Sequence, residues 1–122
     1  MQKYKAKILS IGELAEEFTK EGVMVFFASN APDELQETAF VHDCTEAPAS
    51  SLEVGDAVIL DGIRFPVLAV GDVANENLAN LGHLVIKFNG SNEAEMRGDV
   101  NLPAVDVPSL KPGSILEIEG RK

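Results

Sequence analysis

Side chains suited to nucleophilic chemistry are scarce in this sequence: two histidines and one cysteine in 122 residues, with no tryptophan. The first histidine closes the run Thr38-Ala39-Phe40-Val41-His42-Asp43-Cys44, an apolar, β-prone stretch that delivers its imidazole beside a loop of small and polar residues. A neutral imidazole is a nucleophile near neutral pH and can hold a transferred phosphoryl group as a phosphoramidate, labile enough to be passed on. At the end of a strand it combines a rigid backbone with an accessible ring. The plainer reading is a histidine that caps the strand with a hydrogen bond, and periodicity alone leaves both open.

His83 follows Leu81-Gly82 and opens a second apolar run. An imidazole there could bond a phosphoryl oxygen or hold the orientation of the nucleophile, since phosphoryl transfer depends chiefly on positioning and charge stabilisation. A satisfied structural histidine is the alternative. Cys44 reads as a small buried filler. His42, Asp43, Cys44 and His83 do not make a convincing metal set, because neighbours on an extended chain point to opposite faces and no paired ligand spacing is present. No glycine-rich phosphate loop or dinucleotide fingerprint appears, so no cofactor is expected and any phosphoryl group must come from another phosphoprotein.

The elements that must position these residues follow from the patterning. Lys5 to Ile11 alternates as a half-buried strand, and Glu13 to Lys20 spaces Leu14, Ala15 and Phe18 as a short helix. Val23 to Phe27 is a continuous buried strand, Asn30 to Asp33 a turn, and Glu37 to His42 the next strand. Asp43 to Ser51 reads as loop. Ala57 to Leu60 and Ile63 to Phe65 flank Asp61-Gly62, which predicts a hairpin with a type I′ turn. The second arm runs on to Val70, with Pro66 marking an edge or bulge.

Asp72 to Leu81 carries Val73, Leu78 and Leu81 at helical spacing, but three asparagines limit it to a turn or two. His83 to Phe88, Asp99 to Leu102 and Ser114 to Glu119 complete the strands. Ser51 to Val58 echoes Ser109 to Leu116, a likeness attributable to shared turn grammar as readily as to duplication. About seven or eight strands with one or two short helical segments predict an all-β fold: a small, mainly antiparallel barrel, closed or nearly closed.

Length fits a single domain over residues 1–122, and 45% hydrophobic residues is a globular composition. The longest apolar run, Val23 to Ala28, is far short of the ~18 residues of a membrane span. Met1 to Lys5 lacks the apolar stretch of a signal peptide, and a lone cysteine agrees with a reducing compartment; a cytoplasmic protein is expected. A net charge of −10 disfavours nucleic acid and would steer basic partners, or merely keep the chain soluble.

Val70 to His83, continuing through Phe88-Asn89-Gly90 and Asn92-Glu93-Ala94-Glu95, closely resembles the glucitol/sorbitol-specific enzyme IIA family of the bacterial phosphoenolpyruvate-dependent sugar phosphotransferase system. Ala39-Phe40-Val41-His42, Ala31-Pro32 with Leu35, and Pro112-Gly113-Ser114-Ile115-Leu116 extend the resemblance over nearly the whole chain. The resemblance implies a cytoplasmic phosphocarrier of barrel-like fold. It would take a phosphoryl group from phospho-HPr on His42 and give it to the IIB component of a sugar transporter, meeting the membrane transiently at its inner face. No catalytic role comes to His83 from the family; support of the phosphoryl group there is a reading of the residue itself.

In this reading Phe40 and Val41 lie next to His42, and the nearby small residues Ala47, Pro48 and Ala49 form part of a shallow docking surface. The competing hypothesis is a noncatalytic β-barrel module that binds a polyol or regulates a partner.

Overall fold

A computed structural model describes residues 2–43 and 50–120. The chain begins with β1 (Gln2–Ile11), α1 (Ala15–Thr19), β2 (Val23–Ala28), α2 (Asp33–Gln36) and β3 (Phe40–His42). It continues with β4 (Ala57–Leu60), β5 (Ile63–Pro66), β6 (Ala69–Val70), α3 (Ala74–Leu81), β7 (Leu84–Phe88), β8 (Asp99–Leu102) and β9 (Ile115–Glu119). These nine strands form one sheet in the order β5-β4-β9-β1-β3-β2-β7-β8-β6. Among the described residues, only β2 with β3 and β7 with β8 pair in parallel; the other pairings are antiparallel.

The two edge strands are consecutive in the chain, which curls the sheet. β5 ends at Pro66 and β6 starts at Ala69, so Val67 and Leu68 alone carry the backbone from one edge to the other. Val67 donates its amide to Asp56 O beside β4 (2.8 Å), while Leu68 donates to Asn101 O of β8 (2.9 Å). Across this seam the Phe65 and Phe88 rings meet edge to face at 5.3 Å. Inside lies the main core, including Ile8, Phe26, Leu60, Ile86 and Leu116, all essentially inaccessible to water. The expected mainly antiparallel, nearly closed barrel is the architecture found.

Local grammar worked best where one turn decides the outcome. Asp61 and Gly62 both have positive φ (51° and 84°), and Leu60 pairs with Ile63 around them. The Asp61 carboxylate also accepts from Ser114 Oγ (2.7 Å) and Ile115 N (2.9 Å), tying the hairpin to the start of β9. Pro66 does sit on an edge strand, where its missing N–H removes nothing from the ladder.

Three short helices are found among the described residues rather than one or two, and the strand expected from Glu37 begins only at Phe40. The cause is the parallel pairing of β2 and β3, which obliges the chain to travel back along the sheet before β3 can start. Residues 29–39 make that return, with α2 inside it and Asp33 and Glu34 at its electropositive first turn. The expected second arm from Ile63 to Val70 is likewise split, because Ala69 and Val70 pair with β8 instead of β4.

Candidate functional site

His42 ends β3 with its ring turned inward. Strand alternation places it on the face of Phe40, and its register partner Ala28 lies on the face of Phe26. The Phe26 and Phe40 rings contact at 5.6 Å within the main core. The imidazole is completely buried. The edge of Tyr4 packs against it in a T-shaped contact with centroids 5.7 Å apart, and the phenol oxygen lies 3.3 Å from Nδ1.

Two main-chain oxygens face the two ring nitrogens. Nδ1 lies 2.8 Å from the carbonyl of Asp43, and Nε2 lies 2.8 Å from the carbonyl of Gly82. A neutral imidazole carries one N–H and donates to one of these oxygens at a time. The Asp43 contact is local and firmly held, because Asp43 N donates to Lys7 O and Lys7 N donates to Asp43 Oδ1, both at 3.0 Å. The Asp43 carboxylate therefore faces the β1 backbone, the divergence expected of neighbours on an extended chain. A carbonyl oxygen only accepts, so the nitrogen that carries the proton makes the hydrogen bond and the other sets its lone pair against an oxygen.

Gly82 is the left-handed C-cap of α3, at φ 59° and ψ 24°. A β-carbon there would stand 2.7 Å from His42 Cε1, 2.9 Å from Nε2 and 2.7 Å from Ala28 Cβ. Only glycine allows both the conformation and the close approach. The sequence reading missed this residue as part of the site. Its signal was the glycine directly after the last periodic residue of a helix.

His83 lies on the other face. Its ring stacks on Phe27 at 4.1 Å, tilted only 10°, and Nδ1–H donates to Phe26 O at 3.2 Å. Phe27 alternates with Phe26 and belongs to a small outer cluster with Ala31 and Ala39, against which Leu81 packs. Burial holds the His83 pKa below its usual value of 6.5, against the upward pull of its bond to Phe26 O. The two imidazoles are thus linked through the Gly82 peptide: its carbonyl meets His42, and His83 carries its N–H.

The flank of the site is stapled from two sides. Asn75 of α3 accepts from Leu52 N (2.7 Å) and donates to Leu52 O (3.0 Å), as a strand partner would. Lys3 Nζ donates to Ser51 O and to Asp56 Oδ2, both at 2.7 Å, with Lys3 and Asp56 buried. Its hydrogen bond with Asp56 is the main reason the Lys3 pKa is raised. The asparagines expected to weaken α3 therefore include one that anchors it. Cys44, Ala47, Pro48 and Ala49 lie outside the described residues.

A family model for the glucitol/sorbitol-specific IIA component of the phosphotransferase system matches residues 3–117. The chain belongs to this family. The glucitol/sorbitol-specific EIIA component of Shigella flexneri is 36% identical over 119 residues, covering 98% of this chain and 96% of that one. The component of the same name from Escherichia coli K12 matches with the same identity and coverage. The crystal structure of a PTS system IIA component from Enterococcus faecalis superposes with a TM-score of 0.86, covering 96% of this chain and all of that one. At 23% identity that likeness speaks for the fold.

Membership makes the protein a phosphoryl-carrying phosphotransferase component of a sugar uptake system, working between a phosphocarrier and a IIB component. It also decides for a carrier over the noncatalytic module. Among the described residues no helix is long and apolar enough to cross a membrane.

Proposed function

We propose that His42 is the phosphoryl acceptor, loaded by phospho-HPr and unloaded onto the IIB component of a glucitol/sorbitol-type transporter at the cytoplasmic face of the membrane. The observation that carries this reading is the asymmetry of the His42 ring. Both nitrogens lie 2.8 Å from a main-chain oxygen. The partner of Nδ1 is the adjacent Asp43 carbonyl and that of Nε2 is the carbonyl of a glycine forty positions away, so Nε2 is the atom assigned to the new bond once that carbonyl moves. In the transfer, the Nε2 lone pair attacks phosphorus as the bond to the donor imidazole breaks. The donor nitrogen keeps that electron pair, and the ring proton of His42 stays on Nδ1, hydrogen-bonded to Asp43 O.

The outer side of β3, the face opposite the His42 ring, carries an acidic surface. A hollow of about 340 Å³ there is lined by Gly12, Gln36 and Val41 together with Glu13, Asp33 and Glu37. Its carboxylates would draw basic groups on a donor, speeding encounters that must also end quickly.

Incubation with phosphoenolpyruvate, enzyme I and HPr, followed by intact-mass measurement, tests the assignment. One acid-labile phosphoryl group is expected on the native chain and on His83→Ala, and none on His42→Ala. An adduct that survives in His42→Ala would overturn it.

A further inference from the structure

If Nε2 is the atom that takes the phosphoryl group, an oxygen already stands in the direction along which it must bond phosphorus. The Gly82 carbonyl lies 2.8 Å away, along the direction a phosphorus atom must occupy at still shorter range. The two cannot be there together. We propose that the Gly82–His83 peptide is a latch that occupies the phosphoryl position in the unmodified protein, and that His83 is the positioning residue that sets it. This inference rests on the acceptor reading for His42.

The latch is held from three directions. Gly82 N donates to Leu78 O at 3.0 Å, and His83 N, in the same peptide unit as the Gly82 carbonyl, donates to Asn77 O at 3.2 Å. The His83 ring is clamped by its stack on Phe27 and its bond to Phe26 O. Residues 81–83 therefore straddle the end of β2, with the Gly82 carbonyl on the inner face and the Leu81 and His83 side chains on the outer one. No side chain at position 82 obstructs rotation of this peptide, and glycine has wide conformational freedom. When the carbonyl leaves Nε2, the peptide turns and the His83 ring loses the geometry that seats it on Phe27.

A consequence for energetics follows. Only the unlatched fraction of the protein can be phosphorylated, so whatever stabilises the latch opposes loading and favours release by the same factor. The latch thus raises the tendency of phospho-His42 to give up its phosphoryl group. His83 contributes to carrier function from the opposite face of the sheet, without touching the reacting atoms.

Two readouts test this. In the native protein, the His83 ring protons lie against the Phe27 ring and their NMR resonances carry its ring-current shift. Phosphorylation of His42 is expected to remove that shift. Separately, equilibration with phospho-HPr is expected to favour the phosphorylated form of His83→Ala by about fivefold over native, the scale of one net hydrogen bond. His83→Phe, which keeps a stacking ring but lacks the Nδ1–H, is expected to fall between them.

Intact mass of the same samples reports loading. Loading with unmoved His83 resonances, or a His83→Ala equilibrium within about twofold of native, a difference smaller than one net hydrogen bond, overturns the latch and leaves the acceptor assignment standing. Absence of any adduct on the native chain overturns both. Should His83→Ala fail to fold, the native-protein resonances alone decide.

Discussion

His42 and His83 sit on opposite faces of the same sheet and are joined by one peptide unit, yet their surroundings have little in common. His42 is enclosed by Tyr4, Ala28 and Gly82, with a main-chain oxygen before each nitrogen. His83 is partly exposed, holds one main-chain oxygen, and spends its ring face on an aromatic neighbour. Polar contacts at both ring nitrogens fix orientation, which matters for an atom that must attack in line. A stacked face fixes position while leaving the ring part-exposed, which suits a residue that acts on its own backbone. The lesson is that residue type made both histidines candidates, and the face of β2 each one reaches separates their roles.

The strongest way to break this contrast short of touching His42 is to remove the outer platform. Phe27 is buried and supplies the stacking surface under His83. Phe27→Ala is expected to lower unfolding free energy by about 3 kcal/mol, as for other large-to-small aromatic changes in packed sites. It should also let the His83 pKa move up toward 6.5, because burial is the main cause that holds it down. Urea denaturation measures the first and an NMR titration of His83 the second. A loss well under about 1 kcal/mol would show that the outer cluster is a veneer.

A smaller effect comes from the peptide that joins the two sites. Gly82→Ala puts a β-carbon between Ala28 and the His42 ring and asks alanine to hold a left-handed conformation. The conformational term alone is about 1–2 kcal/mol, with the steric contact added to it. A midpoint shift of that size in thermal or urea unfolding is the expected result. A Gly82→Ala protein as stable as the native one would mean that residue 82 had left the ring altogether.

The sequence conveyed the parts of this arrangement that are local. Asp61-Gly62 names its own turn, whereas the accessible ring expected of His42 at a strand end is found buried on the Phe40 face. The helix ending at Leu81 was visible by spacing despite its asparagines. What was not legible depends on pairings between distant segments. Parallel pairing of β2 with β3, and hence α2, appears only once the strand order is known. The carbonyl over Nε2 comes from forty positions downstream, and Asn75 looked like a poor helix former until Leu52 supplied its partner. Side-chain chemistry can be read from one segment; a site assembled from main-chain oxygens cannot.

The smallest effect expected is a pH dependence confined to the outer face. His83 has a folded-state pKa below 6.5, so between that lowered value and 6.5 the unfolded chain binds more protons than the folded one. Stability therefore rises with pH across this window. The contribution is fully present above 6.5 and is lost as pH falls through the window toward the folded-state value. Unfolding midpoints measured from about pH 7.5 down to about 5 should decline. In His83→Phe, where position 83 cannot titrate and the stack is kept, the decline should be shallower. An identical slope in the two proteins would move the titration off His83, and with it the claim that burial against Phe27 keeps this ring neutral while its Nδ1–H holds Phe26 O.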